Sequence, residues 1–121
     1  MMLIIGLGCG GASGPPGRDW IVGKWQMYAC YNYATEEQVP VEGLGLSGEI
    51  VFRNNHHWES WRDGWPGGHY ENGGKWSVAT PGIYEIDPSH RFPNVYRDGD
   101  DIYSVGGLAG ELWRFYYRRS E

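Results

Sequence analysis

Gly23-Lys24-Trp25 near the start of the chain and Leu112-Trp113-Arg114-Phe115-Tyr116-Tyr117-Arg118-Arg119 at its end decide the fold. Both stretches are β-patterned, and each couples a large aromatic to a cationic residue. Pairing them edge to edge would close everything in between into a tube. The aromatic and β-branched runs that separate them are short and are cut by Gly, Pro, Asn-Gly and Asp-Gly, the punctuation of an all-β domain. With 20 Gly and 16% aromatic residues in 121, and no sustained helical period outside the N-terminus, very little helix is expected.

From Ile21 to Tyr33 the chain alternates, with Trp25, Met27, Ala29, Tyr31 and Tyr33 on one face and Gln26, Tyr28, Cys30 and Asn32 on the other. Such a period of two with one apolar face reads as a half-buried strand. On this parity Cys30 points away from the Trp25 face, as an unreactive thiol. Thr35 to Leu46 reads as a loop. Further strands follow over Gly48 to Arg53, His57 to Arg62, His69 to Glu71, Lys75 to Val78, Gly82 to Ile86, Asn94 to Arg97, Asp101 to Val105 and Glu111 to Arg118. Turn signals separate them, among them Asn54-Asn55, Asp63-Gly64, Asn72-Gly73-Gly74 and Asp98-Gly99-Asp100. About eight to nine strands joined by short hairpins make a meander, and closing it removes the unpaired edges that invite aggregation. An up-and-down antiparallel β-barrel is therefore expected in preference to a sandwich.

Ten Lys and Arg against fifteen Asp and Glu give a net charge of −5, which repels phosphate backbones and excludes nucleic acid as an expected partner. Two cysteines, Cys9 and Cys30, are too few for a disulfide framework and are not spaced as metal ligands.

Met2-Leu3-Ile4-Ile5-Gly6-Leu7-Gly8 is an apolar run that stops at Cys9, followed by a Gly, Ser, Ala and Pro tether. These are the parts of a lipoprotein export signal, with Cys9 as the lipidated residue. The run is shorter than the ~20 apolar residues that span a bilayer. Residues 1–19 therefore read as an export and lipidation segment with its tether, residues 20–121 as the barrel domain, and the expected location is the cell envelope, with membrane anchoring through Cys9.

Ile21-Val22-Gly23-Lys24-Trp25 resembles the Gly-x-Trp opening of the lipocalins and of small bacterial lipocalin-like domains. Gly48-Glu49-Ile50-Val51-Phe52, Gly74-Lys75-Trp76-Ser77-Val78, Gly82 to Pro88, the Asp98 to Tyr103 hairpin and the arginine-bearing last strand are similar to later parts of that pattern, in the same order. The resemblance covers roughly residues 21 to 119. It implies a calycin-type barrel in which Trp25, after Gly23, plugs one end and a cation from the last strand, Arg118 or Arg119, lies across the indole. A barrel of this size is either filled by its own side chains or holds one small ligand.

His56 and His57 are adjacent and would face opposite sides of a strand, and His69 and His90 fall on distant loops, so exposed histidines are expected and no metal site. Asp98, Asp100 and Asp101 are explained by an Asp-Gly hairpin without calcium. Glu49, Glu59, Glu71 and Glu85 are not spaced as a catalytic pair, and no nucleophile elbow or phosphate cradle is present. The expectation is a non-enzyme without cofactor. The densest unusual segment is Trp58 to Tyr70. Trp58 and Trp61 have opposite parity, so one enters the core while the other, with Trp65, stays near the surface. Trp61, Trp65 and Tyr70 are the candidate ligand-binding residues. The expected function is an exported, non-catalytic lipocalin-like barrel that binds a small apolar or amphipathic ligand. The alternatives are a filled barrel docking as a structural subunit on a protein partner, or a carbohydrate-binding module.

Overall fold

The computed structural model describes residues 19–65, 68–86, 93–108 and 110–120. Cys9 and the apolar run before it, and His90, lie outside the described residues.

The nine strands are β1 (Gly23–Asn32), β2 (Glu37–Pro40), β3 (Ser47–Phe52), β4 (His57–Trp65), β5 (Gly68–Thr80), β6 (Ile83–Ile86), β7 (Asn94–Asp98), β8 (Asp101–Leu108) and β9 (Glu111–Arg119). From β3 onward each strand pairs antiparallel with the next. The first and last strands then meet in register from Trp25 opposite Arg119 to Asn32 opposite Trp113. That contact closes an eight-stranded barrel of β1 and β3 to β9, with β2 as one extra strand. Closure pairs the free edge of β9 with that of β1, the two backbone edges that the open eight-stranded sheet would expose.

The Thr35 to Leu46 segment is more structured than its sequence suggests. β3 follows β1 only as far as Glu49 opposite Gln26, which leaves the far half of that edge open. β2 fills it, with Ala29 opposite Pro40 and Asn32 opposite Glu37, and a 3-10 turn over Val41–Leu44 leads back to the barrel. The reversal is held by Asn32, whose side-chain oxygen accepts from the amides of Ala34 and Thr35 at 2.7 and 3.1 Å. An asparagine that binds the backbone ahead of it is a local turn device.

The expected turn at Asn72-Gly73-Gly74 is instead the middle of β5. Gly74 lies opposite Trp58 and Gly73 opposite Glu59, and a Cβ on Gly73 would stand 3.0 Å from the Trp58 carbonyl oxygen. These glycines serve close strand approach rather than reversal. Likewise β4 runs past Asp63-Gly64 to Trp65. Gly64 has φ of 82°, and a Cβ there would fall 1.9 Å from the Gly45 carbonyl oxygen, so only glycine fits this bulge.

A second bulge, between Met27 and Ala29, resets the parity of β1. Trp25 and Met27 point inward before it, and Cys30 and Asn32 point inward after it. The sequence parity that turned Cys30 away from the Trp25 face is corrected by this one extra residue. Cys30 is 0% exposed and belongs to the core with Phe52, Phe115, Val95 and Ile102. Burial pushes its thiol up to about 11, with nearby Arg62 opposing the shift, so it remains a neutral core thiol at physiological pH.

Candidate functional site

The two ends of the barrel are built differently. At one end Trp25 is fully buried, and its indole N–H donates to the Ile21 carbonyl at 2.8 Å. Trp20 packs against it at 5.2 Å between ring centroids. Arg119, continuing the face of Phe115 and Tyr117, places its guanidinium 4.2 Å from the Trp25 ring, and Arg97 lies 3.9 Å from Trp20. Arg119 also donates to the carbonyls of Val22 and Trp20. Rings, cations and carbonyls thus fill this end, each guanidinium adding cation–π attraction of about 0.5–2 kcal/mol. Arg118, on the opposite parity, sits outside the barrel over Tyr28 at 3.9 Å.

The other end holds a cavity of about 350 Å³. Its apolar wall comes from Ile50, Trp58, Ile86, Val95 and Tyr117, each carried inward on a different strand, and its polar wall from Ser60, Arg62 and Ser104, with Glu71 and Asn72 of β5 also in the lining. The register explains the placement. Gly48, Arg62 and Tyr70 stand side by side across β3, β4 and β5, and Gly48 supplies the room that Arg62 occupies. A Cβ on Gly48 would lie 3.3 Å from the Arg62 Cγ and 3.2 Å from the Met27 methyl. The guanidinium reaches 5.4 Å from the ring of Phe115, which is itself completely buried. On the facing strand Gly106 has no side chain where a Cβ would press within 3.1 Å of that same ring. The Ser104 hydroxyl is buried and has no hydrogen-bond partner among the described residues. An unsatisfied buried hydroxyl costs about 1–3 kcal/mol, and such atoms in native folds usually await a ligand or water.

The structure distributes the sequence-predicted binding residues rather than gathering them. Tyr70 lines the cavity and is 46% exposed at its mouth. Trp61 points to the outer face, where its indole N–H donates to Glu49 at 3.2 Å and its ring lies parallel to His69. Trp65 ends β4 opposite Gly68, and its side chain is outside the described part. Trp58, the partner of opposite parity, enters the core. Arg62 and Ser104 were not singled out by sequence. The available signal was parity: both share the alternation of a buried neighbour, Arg62 with Trp58 and Ser104 with Ile102. No group of three or more metal-ligating side chains gathers among the described residues.

No protein-family model matches the chain, and a search of curated proteins finds no match. Among solved structures it is similar to the Schistosoma mansoni fatty acid binding protein in complex with arachidonic acid, at a TM-score of 0.51 and 12% identity. That match covers 87% of this chain and 99% of the other. The fold is a calycin-like barrel. Fatty-acid-binding protein 1 of Echinococcus granulosus is also found, at a TM-score of 0.45 and 10% identity over 84% of this chain and 98% of that one. At these identities the likeness is one of fold, and the calycin-like barrel's own residues must carry any argument about its ligand.

Proposed function

We propose that this barrel binds, without catalysis, one small amphipathic molecule whose apolar body fills the cavity and whose anionic head meets Arg62 and Ser104. One observation carries the reading: a cavity of about 350 Å³ has an arginine side chain and an unsatisfied serine hydroxyl in a wall of mixed apolar and polar residues. The volume lies at the lower end of the range of ligand sites, about 300–1,000 Å³, which suits a single small ligand. An apolar body gains about 25 cal/mol for each Å² removed from water. A head that accepts from a guanidinium adds about 1.5–3 kcal/mol, and only for an acceptor. The likeness to a fatty acid binding protein agrees in architecture with this reading.

Tryptophan emission tests it, because Trp58 lines the cavity. Titration with a panel of fatty acids, their matching alcohols, pigments and oligosaccharides is expected to give saturable changes with apolar carboxylates and weaker ones with the alcohols. Ser104→Leu, which fills the cavity, removes the response. Silence across the panel, or equal binding of acid and alcohol, rejects the site.

The reading extends to location. The apolar run ending at Cys9, with its small-residue tether, supports export and anchoring of the barrel at a membrane surface by a lipidated Cys9. Intact mass of protein recovered from membranes tests this: acyl chains on Cys9 support it, and an unmodified N-terminus removes it.

A further inference from the structure

The outer surface of the barrel carries two faces of opposite character. Across β7, β8 and β9, Tyr96, Tyr103 and Tyr116 stand directly opposite one another in the register, and Tyr28 of β1 extends the row. Arg114 lies 4.5 Å from the Tyr103 ring and donates to the hydroxyls of Tyr33 and Tyr116 at 2.8 and 3.1 Å. Arg118 caps Tyr28. Neither arginine forms an ion pair with a carboxylate among the described residues. Two charged guanidinium groups thus ride on a tyrosine platform in a chain whose net charge is −5.

Across β3, β4 and β5 the outer surface forms an open recess of about 520 Å³, lined by Trp61 and Val51, by the carboxylates of Glu49, Glu59, Asp63 and Glu71, and by His69. His69 bridges Asp63 and Glu71 and lies parallel to the Trp61 ring, so that carboxylates still outnumber cations in the lining. With His69 beside the indole and Glu49 accepting from its N–H, a guanidinium entering the recess would bond the remaining carboxylate oxygens around its rim. In the closed strand order, β3, β4 and β5 stand opposite β7, β8 and β9. The acidic recess and the arginine face are therefore on opposite sides of one molecule.

We infer that the occupant of this recess is the Arg114 and Arg118 face of a second copy of this chain, so that barrels associate head to tail. Charge complementarity selects that occupant, and the residue types match what fixes protein interfaces: tyrosine, tryptophan and arginine at the centre. Because donor and acceptor faces differ and lie opposite each other, each copy engages two neighbours. The contact is heterologous, and association does not stop at two.

Sedimentation velocity of the full chain tests this. Association that grows with concentration at low salt and weakens in about 0.5 M NaCl is expected, since the attraction is screened. Arg118→Glu, an exposed change, is expected to weaken it about tenfold or more, and adding Arg114→Glu to abolish it. Glu49→Lys with Glu71→Lys abolishes it from the other side. The two double variants, each monomeric alone, are then expected to associate on mixing, because the intact recess of one meets the intact arginine face of the other. Far-UV circular dichroism checks that each variant retains the barrel. A wild-type chain that stays monomeric at every concentration overturns the inference. So does association that survives Arg118→Glu unchanged, or double variants that ignore each other. Arg118→Glu keeps the two readings apart, since that face lies away from the cavity, whereas Glu71 lines both the recess and the cavity.

Discussion

The two ends of the barrel use the same residue types to opposite effect. At the Trp25 end, arginines and indoles are packed until nothing remains open: Arg119 spends its donors on the Val22 and Trp20 carbonyls and its flat face on Trp25. At the Arg62 end, an arginine and an indole again face inward, but a cavity of about 350 Å³ remains beside them. What separates the stopper from the candidate site here is the space left open and one unsatisfied hydroxyl, not the presence of aromatic or cationic groups. Packing to full density makes the first end a source of stability, and leaving a void gives up stability at the second.

The largest expected effect breaks the first end. Trp25→Ala removes a side chain with 0% exposure and leaves Arg119 without its platform, so unfolding free energy should fall by about 3–5 kcal/mol in urea denaturation. Arg119→Ala should cost less, about 1–2 kcal/mol, because backbone carbonyls near the surface regain water. A cost below about 1 kcal/mol for Trp25→Ala would mean that the closing strands hold without their stopper.

The second test separates the ends by function. Arg62→Met keeps much of the side-chain volume and removes the charge. Affinity for an apolar carboxylate should drop roughly 10- to 100-fold, the equivalent of one lost charge-assisted hydrogen bond, while the matching alcohol is unaffected. Stability should move by less than about 1 kcal/mol, since removing a half-buried guanidinium also removes its desolvation cost. Arg119→Ala should show the reverse profile, destabilised and with unchanged affinity. If both arginines change binding equally, the division between stopper and site is wrong.

A smaller effect is expected at Ser104. Its hydroxyl is buried and unpartnered among the described residues, so Ser104→Val exchanges an unsatisfied polar atom for a methyl group. The unliganded barrel should gain about 1 kcal/mol, and carboxylate binding should weaken by less than in Arg62→Met. Thermal midpoints with and without ligand read both numbers. A loss of stability would show that the hydroxyl already has a partner in water.

The closed antiparallel barrel was legible because its signals are local and repeated: alternation along each run, and turn residues between runs. The ordered set from Gly23-Lys24-Trp25 to Arg119 named the pairing that closes it. Two features escaped for one shared reason, that glycine and asparagine carry two meanings, and a third for want of any marker. Asn72-Gly73-Gly74 reads as reversal but provides close approach to Trp58, and Asp63-Gly64 reads as a hairpin but makes a bulge beneath Gly45. The bulge at Tyr28 has no marker at all, and it alone turns Cys30 and Asn32 inward. The site was half legible. Tyr70 reaches the cavity, and the opposite parity of Trp58 and Trp61 fixes that they face different sides. The expectation of a surface tryptophan points outward to Trp61, which is half-buried, whereas the same alternation from Trp58 leads inward to Arg62.

The last and smallest effect asks whether the open end, unlike the stoppered one, responds to pH. His69 bridges β4 and β5 near the cavity mouth, with one ring nitrogen against Asp63 and the other 2.9 Å from Glu71. The hydrogen bond to Glu71, then that to Asp63, raises its pKa above the ordinary histidine value. A folded-state pKa above the unfolded one means that folding favours the protonated ring. The contribution is complete below the unfolded value near 6.5 and disappears as pH rises through the higher folded one. Because the ring is solvent-exposed, the effect is small. The thermal midpoint of the native chain should exceed that of His69→Gln at about pH 5.5, and the two should converge at about pH 8.5. The Arg119→Ala deficit should be the same at both, since its partners are rings and carbonyls that do not titrate there. A His69→Gln difference that stays constant across this range would remove the bridge as a charged contact and leave only its packing on Trp61.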